Sequence, residues 1–175
     1  MNGGPTSDNW WWRAGAIDPS TAIVFDMDGV ISDASTRQHL LVGAELDWDR
    51  FFEACEHDEP IAETTRLLHA LDERFDIVLL TARPLRVRPH TLTWLERNDF
   101  RWDLLIMRED DDELSSRSFK RREVQHLRDF GFELHLAFED DQRNVEMFHA
   151  EGVPCVYIHS GYYDGGGLTQ PMGTK

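Results

Sequence analysis

Only two cysteines, Cys55 and Cys155, occur in the chain, and neither sits at a metal-ligand spacing. This excludes a disulfide framework and makes a reducing cytosol the expected setting. No apolar run approaches the roughly 20 residues that a membrane crossing needs, so no membrane partner is expected. The opening segment, MNGGPTSDNWWWR, lacks the basic-then-apolar pattern of a signal peptide. There is no internal repeat and no Gly-x-x-x-x-Gly-Lys-[Ser/Thr], which argues against P-loop kinase or ATPase chemistry. Positive charge is scarce: 18 Lys and Arg stand against 33 Asp and Glu, a formal net charge of −15. Such a field repels polyanions at long range, and a protein that grips nucleic acid over a broad face carries a basic patch. Any nucleic-acid contact must therefore be local, and a small anionic substrate in a focused pocket is easier to accept.

With 175 residues and 41% hydrophobic residues, the chain is long and apolar enough for one domain with a real core. It is organised around Thr21 to Asp33, TAIVFDMDGVISD. Ala22 to Phe25 read as a buried strand of a parallel sheet. The strand delivers Asp26 and Asp28 to its C-terminal end, where open α/β sheets bind ligands. Gly29 lets the backbone turn away and leaves room for a ligand. Alone, Asp-x-Asp-Gly is a weak signal that a surface turn would also satisfy. A calcium-binding EF-hand fits poorly, because its 12-residue loop continues with regularly spaced ligands whereas Val30 and Ile31 follow here.

Strands and helices alternate along the rest. Residues 1–14 read as a flexible arm carrying Trp10, Trp11 and Trp12, with indoles that pack on the domain surface. Residues 15–165 read as the domain and 166–175 as a flexible tail. A helix near Gln38 to Glu45 and another over Asp47 to Ala54 form a small insertion, too short for a large cap domain. Pro60 reads as the opening of a helix. Further strands are expected at Phe75–Leu80, Trp102–Met107, Leu134–Phe138 and Pro154–Ile158. Helices are expected at His90–Asn98, Phe119–Phe130 and Gln142–Ala150. The acidic run Asp110 to Asp112 reads as a solvated connection. This alternation predicts an α/β fold, Rossmann-like, with a mostly parallel central sheet and helices on both faces.

Polar groups converge on one edge of that sheet: Asp26 and Asp28, then Thr81 and Arg83, then Lys120, then Asp140 and Asp141. A carboxylate can attack phosphorus and form an aspartyl-phosphate. A hard cation such as Mg²⁺ takes oxygen ligands, a lysine adds fixed positive charge, and a second carboxylate can move the proton. Each piece alone has a bland reading: a strand end, a basic helix start, or a helix cap. Their joint occurrence, in this order, at strand and helix ends makes the bland readings together improbable.

On these residues the chain resembles the haloacid dehalogenase (HAD) superfamily of phosphohydrolases, from about Thr21 to Ser160, with a minimal cap. The resemblance implies Asp26 as nucleophile, Asp28 as general acid and base, and Thr81 and Lys120 at the phosphate. It implies Mg²⁺ held by Asp26, the Asp28 backbone carbonyl, Asp140 and Asp141. A narrower similarity is to the 3′-phosphatase domain of phage-type polynucleotide kinase-phosphatases. It is carried by Arg37 after DMDGV, by Arg83 in TARP, by Arg108 in MRED, and by the closing stretch DDQRNVEMFHAEGVPCVYIHSG. It implies that Arg37, Arg83 and Arg108 serve the phosphate. Ser116 and Ser118 depart from the family, which often has acidic residues before the lysine.

The implied activity is a Mg²⁺-dependent phosphomonoesterase acting on 3′-phosphorylated DNA or RNA ends. Arg86, Arg88, Arg101 and Arg117 are candidates for local positive charge near the mouth. The alternatives are a nucleotidase or other small-ester phosphatase, a non-catalytic scaffold of the same fold, and a subunit working beside a separate kinase or ligase.

Overall fold

The structure is a computed structural model and describes residues 8–163. The expected tail, 166–175, residues 1–7 of the expected arm, and residues 164–165 lie outside the described part.

A six-stranded sheet forms the centre, in the order β1-β6-β5-β2-β7-β8. Its strands are β1 (Trp10–Trp12), β2 (Thr21–Phe25), β5 (Asp76–Pro84), β6 (Leu104–Arg108), β7 (Glu133–Glu139) and β8 (Cys155–Tyr157). All neighbours pair in parallel except β1, which runs antiparallel to β6. The helices are α1 (Trp48–Glu53), α2 (Ala62–Ala70), α3 (Arg88–Arg97), α4 (Ser116–Phe130) and α5 (Gln142–Ala150).

Strand β2 lies inside the sheet, so both of its faces are buried and its residues are apolar throughout. Ile23 and Phe25 join a core that includes Leu68 of α2 and Trp94 and Leu95 of α3. Ala22 and Val24 join the opposite core, with Phe119, Val124 and Leu127 of α4 and Met147 and Phe148 of α5. The period-two alternation along one strand thus serves two helix layers, and the doubly covered parallel sheet of the sequence reading is the observed architecture.

Three local expectations change. Trp10–Trp12 are not loose: they form the sheet-edge strand β1, in register with Ile106, Leu105 and Leu104. Three bulky aromatics suit an extended edge, and Trp10 is buried. Pro60 does not open a helix. With Glu59 it forms β4, paired antiparallel to β3 (Ser32–Asp33), and α2 starts at Ala62. The stretch expected as a helix near Gln38 to Glu45 is instead a 3-10 segment over Ala34–Leu41, capped by the Asp33 carboxylate. That segment and α1 share a small core of Ala34, Leu41 and Phe51 above the sheet edge. Among the described residues, no helix is long and apolar enough to cross a membrane.

Candidate active site

Strand ends and one helix start build the site. Asp26 follows β2, and its N–H donates to the Phe138 carbonyl of β7 (3.0 Å). The chain then turns tightly: the Met27 carbonyl accepts from the N–H groups of Val30, Ile31 and Ser32. Gly29 has φ of +81°, and a Cβ there would lie 2.0 Å from Asp140 Oδ2. No other residue fits that position, on conformational and steric grounds alike. Strand β5 continues past the expected Leu80 to Pro84, with an irregular register that carries Thr81 and Arg83 into the crevice. Helix α4 begins at Ser116, earlier than expected, because the Ser115 side chain accepts from the Ser118 N–H. Lys120 follows one turn later.

Two buried charge clusters meet at this edge. In the first, Asp28 Oδ1 accepts from Arg37 Nη2 (2.5 Å) and from Arg83 Nη2 (2.5 Å) and Nε (3.1 Å). Behind it, Asp58 accepts from Arg37 Nε (3.0 Å) and Nη2 (2.7 Å) and from the Ser32 hydroxyl (2.5 Å). Two carboxylates and two guanidinium groups balance. Burial works against ionisation of Asp28, but the charges of Arg37 and Arg83 outweigh it and hold its carboxyl at about 2.

In the second cluster, Lys120 Nζ lies 2.8 Å from Asp26 Oδ1 and 2.6 Å from Glu139 Oε2. Burial disfavours the lysine charge, and Asp26 and Glu139 more than restore it, pushing its pKa up. Asp140 completes this group, and Asp26, Glu139 and Asp140 each offer an oxygen within 4.8 Å of the others. Three carboxylates face one lysine, so the cluster is two positive charges short. Burial, then repulsion from Glu139, pushes Asp26 up to about 7, against the pull of Lys120. Asp140 is raised well above the usual range by burial and by repulsion from Glu139 and Asp26. Ser160 lies beside it, yet neither Asp140 oxygen has a well-formed hydrogen bond among the described residues. An oxygen-only donor set, a deficit of two charges and an orphaned carboxylate fit a hard divalent cation such as Mg²⁺.

The predicted residues separate into groups. Asp26, Asp28, Thr81, Arg83 and Lys120 line one pocket. Thr81 is buried, and its hydroxyl accepts from the Arg83 N–H (3.2 Å). Arg37 does not line the pocket. It stands behind Asp28, stacked 4.1 Å over the Phe51 ring.

Asp141, expected as a metal ligand, is engaged elsewhere. Its carboxylate caps α5 by accepting from the Arg143 N–H (2.9 Å), and it pairs with the Arg143 guanidinium (2.7 Å). The acidic cluster is formed by Glu139 together with Asp26 and Asp140. The Asp28 carboxylate also stands outside that cluster, committed to the arginines.

Arg108 lines a neighbouring cleft rather than this pocket. Of the arginines expected near the mouth, Arg88 covers the Trp11 ring and Arg101 binds backbone carbonyls. Sequence reasoning missed Asp58, which sits in the polar run HDEP without a local signal. It also misses Glu139, whose signal is present: Glu139 ends β7 and opens a run of three acids with Asp140 and Asp141.

The pocket holds about 50 Å³, space on the order of a few waters, which suits one phosphate group rather than a nucleobase. Its floor offers a carboxylate beside a lysine, and its walls are Leu41, Trp48, Phe51 and Phe52 of the small insertion. The set can place a carboxylate oxygen against an anionic phosphorus centre while fixed positive charge offsets the repulsion.

The sequence profile of the polynucleotide kinase PNKP phosphatase domain matches residues 20–163. No curated protein matches the chain. Among solved structures, a chain of the Pnkp1/Rnl/Hen1 RNA repair complex is similar at 22% identity and a TM-score of 0.64, covering 81% of this chain and 42% of that one. This protein therefore spans less than half the length of that relative. A class C acid phosphatase from Bacillus anthracis shares the fold at 17% identity and a TM-score of 0.56, with 86% of this chain and 70% of that one covered. An L-2-haloacid dehalogenase does so at 15% identity and a TM-score of 0.56, with 86% and 89% covered.

Proposed function

The chain belongs to the polynucleotide kinase PNKP phosphatase-domain family, within the HAD phosphatases, and on that premise we propose that it is a magnesium-dependent phosphomonoesterase that removes 3′-phosphates from DNA or RNA ends. The observation that carries this reading is Asp26 held 2.8 Å from Lys120, within a buried acidic group two charges short of neutrality.

Asp26 is the nucleophile. One of its oxygens bonds to phosphorus as the bond from phosphorus to the ribose oxygen breaks, leaving an aspartyl-phosphate. The departing alkoxide takes its proton from Asp28. A phosphate entering the pocket competes with Asp28 for Arg83, which lines it. Once Arg83 turns to the phosphate, the pull that keeps Asp28 ionised weakens, and its carboxylate can take up a proton from solvent and pass it to the alkoxide. Water then attacks phosphorus, gives its proton to Asp28, and frees the Asp26 carboxylate with inorganic phosphate. Thr81, Arg83 and Lys120 hold the phosphate oxygens through both steps. Arg37 and Asp58 act as positioning residues, since they hold Asp28 and do not line the pocket. Asp26, Glu139 and Asp140, with the Asp28 backbone carbonyl, would hold Mg²⁺, which when bound supplies positive charge that offsets the meeting of two anions.

A nucleotidase with the same site is the second reading, favoured by the net charge of −15. The similarity to a chain of an RNA repair complex supports work on RNA ends beside a separate kinase or ligase. The deciding test is phosphate release with Mg²⁺ against EDTA from a 3′-phosphorylated oligonucleotide, its 5′-phosphorylated counterpart, and 3′- and 5′-mononucleotides. Preferential release from the first is expected, and none from the folded Asp26→Asn protein. A fully active Asp26→Asn protein would overturn the mechanism.

A further inference from the structure

A second cleft, of about 220 Å³, adjoins the phosphate pocket and shares Trp48, Phe52 and Ala82 with it. It has several times the room of the pocket and continues past Pro84 to Arg86 and Arg108. At the shared end, the Trp48 and Phe52 rings stack with centroids 5.7 Å apart. Such a wall receives a nucleobase or sugar face. The Trp48 indole N–H is buried, with no hydrogen-bond partner among the described residues.

At the far end, Arg108 is the unsatisfied group. Its Nε and Nη2 are buried and find no acceptor among the described residues, and its guanidinium sits 5.6 Å over the Phe119 ring. The other charges of the cleft are largely spent. Arg86 pairs with Asp49 (2.5 Å) and lies 3.8 Å from Asp110. Asp112 pairs with Arg122 (2.8 Å). A half-buried guanidinium with buried, idle donors is costly unless an anion meets it, and a phosphodiester supplies acceptors of the right shape. Glu109 and Asp110 also line the cleft, and their charge disfavours a further phosphate.

We propose that this cleft is the subsite for the end of the strand. The terminal nucleoside lies against Trp48 and Phe52, and Arg108 takes the internucleotide phosphate next to it. The protein therefore reads two phosphates, the one it removes and the one before, and gains nothing from a longer strand. This rests on the phosphatase reading of the adjoining pocket.

The test compares a 3′-mononucleotide with 3′-phosphorylated di-, tri- and decanucleotides. Two readouts are used: phosphate release by the wild type, and calorimetric binding to the Asp26→Asn protein with Mg²⁺. The rise in kcat/KM and in affinity from mono- to dinucleotide should be about tenfold or more, with less than about threefold gained beyond. Arg108→Gln should bring the dinucleotide down to the level of the mononucleotide, whereas Trp48→Leu should weaken both; unfolding curves confirm that each variant is folded. Equal values for mono- and dinucleotide in the wild type would overturn the proposal. So would an equal loss on both substrates in Arg108→Gln, which would move that residue into the phosphate pocket, or a steady rise with length. Absence of phosphate release from every substrate, with the Arg108-dependent binding preference intact, would instead remove the phosphatase reading and leave the subsite.

Discussion

Asp58 takes hold of Arg37 with both carboxylate oxygens, Nε lying 3.0 Å from Oδ1 and Nη2 2.7 Å from Oδ2. The pair is sealed from solvent, with side chains 2% and 1% exposed. It fixes the direction from which Arg37 reaches Asp28.

Removing one partner of such a pair is expensive, because the other charge stays buried. In Asp58→Ala, two buried guanidinium groups would share the single carboxylate of Asp28. The expected cost is about 3–5 kcal/mol, a fall in Tm on the order of 10 °C for a chain of this size. Asp58→Asn, which keeps an acceptor, should lose less. Denaturant unfolding decides: an Asp58→Ala protein within about 1 kcal/mol of wild type would show that the pair does not hold the site.

The acidic cluster gives a prediction whose sign depends on the ion. Asp140 is buried, repelled by Glu139 and Asp26, and has no well-formed hydrogen bond among the described residues. In EDTA, Asp140→Asn should therefore be at least as stable as wild type, since the change removes a costly charge. In excess Mg²⁺ the order should reverse. Binding to the folded state alone stabilises the wild type by about 2.7 kcal/mol at a hundredfold excess over Kd, and the variant should gain little. Thermal unfolding in the two conditions is the measurement, and parallel shifts in both proteins would sink the cation assignment.

Adjacent Asp141 should behave differently. Its carboxylate is spent on the α5 N-terminus and on Arg143. Asp141→Ala should cost about 1 kcal/mol as a lost cap and keep the Mg²⁺-dependent rise in Tm. Loss of that rise would return Asp141 to the metal site.

How far these features could be read beforehand follows from how local their causes are. The run TAIVF flowing into DMDG announces itself, because burial on both faces demands an unbroken apolar stretch and the paired acids sit where it ends. Helix α5 was legible to its boundaries, as Asp141 caps it and Gly152 follows its last turn. Asp58 was not legible. Its partner Arg37 is 21 residues away, and only the folding of the small insertion joins them. Arg37, Arg83 and Lys120 were recognised by their positions in motifs, but motif position does not say which carboxylate each one neutralises. That Arg37 stands behind Asp28 rather than in the pocket is a fact of packing.

The N-terminal tryptophans provide the last prediction. A loose arm would yield three small, similar effects on alanine substitution. As strand β1, they should differ sharply. Trp10 is 7% exposed, donates its indole N–H to Glu123 Oε2 (2.9 Å), and packs edge-on against Phe130 at 5.6 Å. Trp10→Ala should cost about 3–5 kcal/mol, the usual range for a buried aromatic, and it also strips a donor from the buried Glu123 carboxylate. Trp11 points outward, 43% exposed, with Arg88 4.5 Å over its ring. Trp11→Ala should cost under about 1 kcal/mol, the value of an exposed cation–π contact. Trp12 should fall between them, because it stacks on Phe132 at 6.3 Å from a half-buried position but its indole N–H finds no partner among the described residues. Chemical unfolding of the three variants tests the order. Equal values would return the segment to an arm, whereas the graded series would make β1 an integral edge of the sheet, held in place from α4 by Glu123 and Phe130.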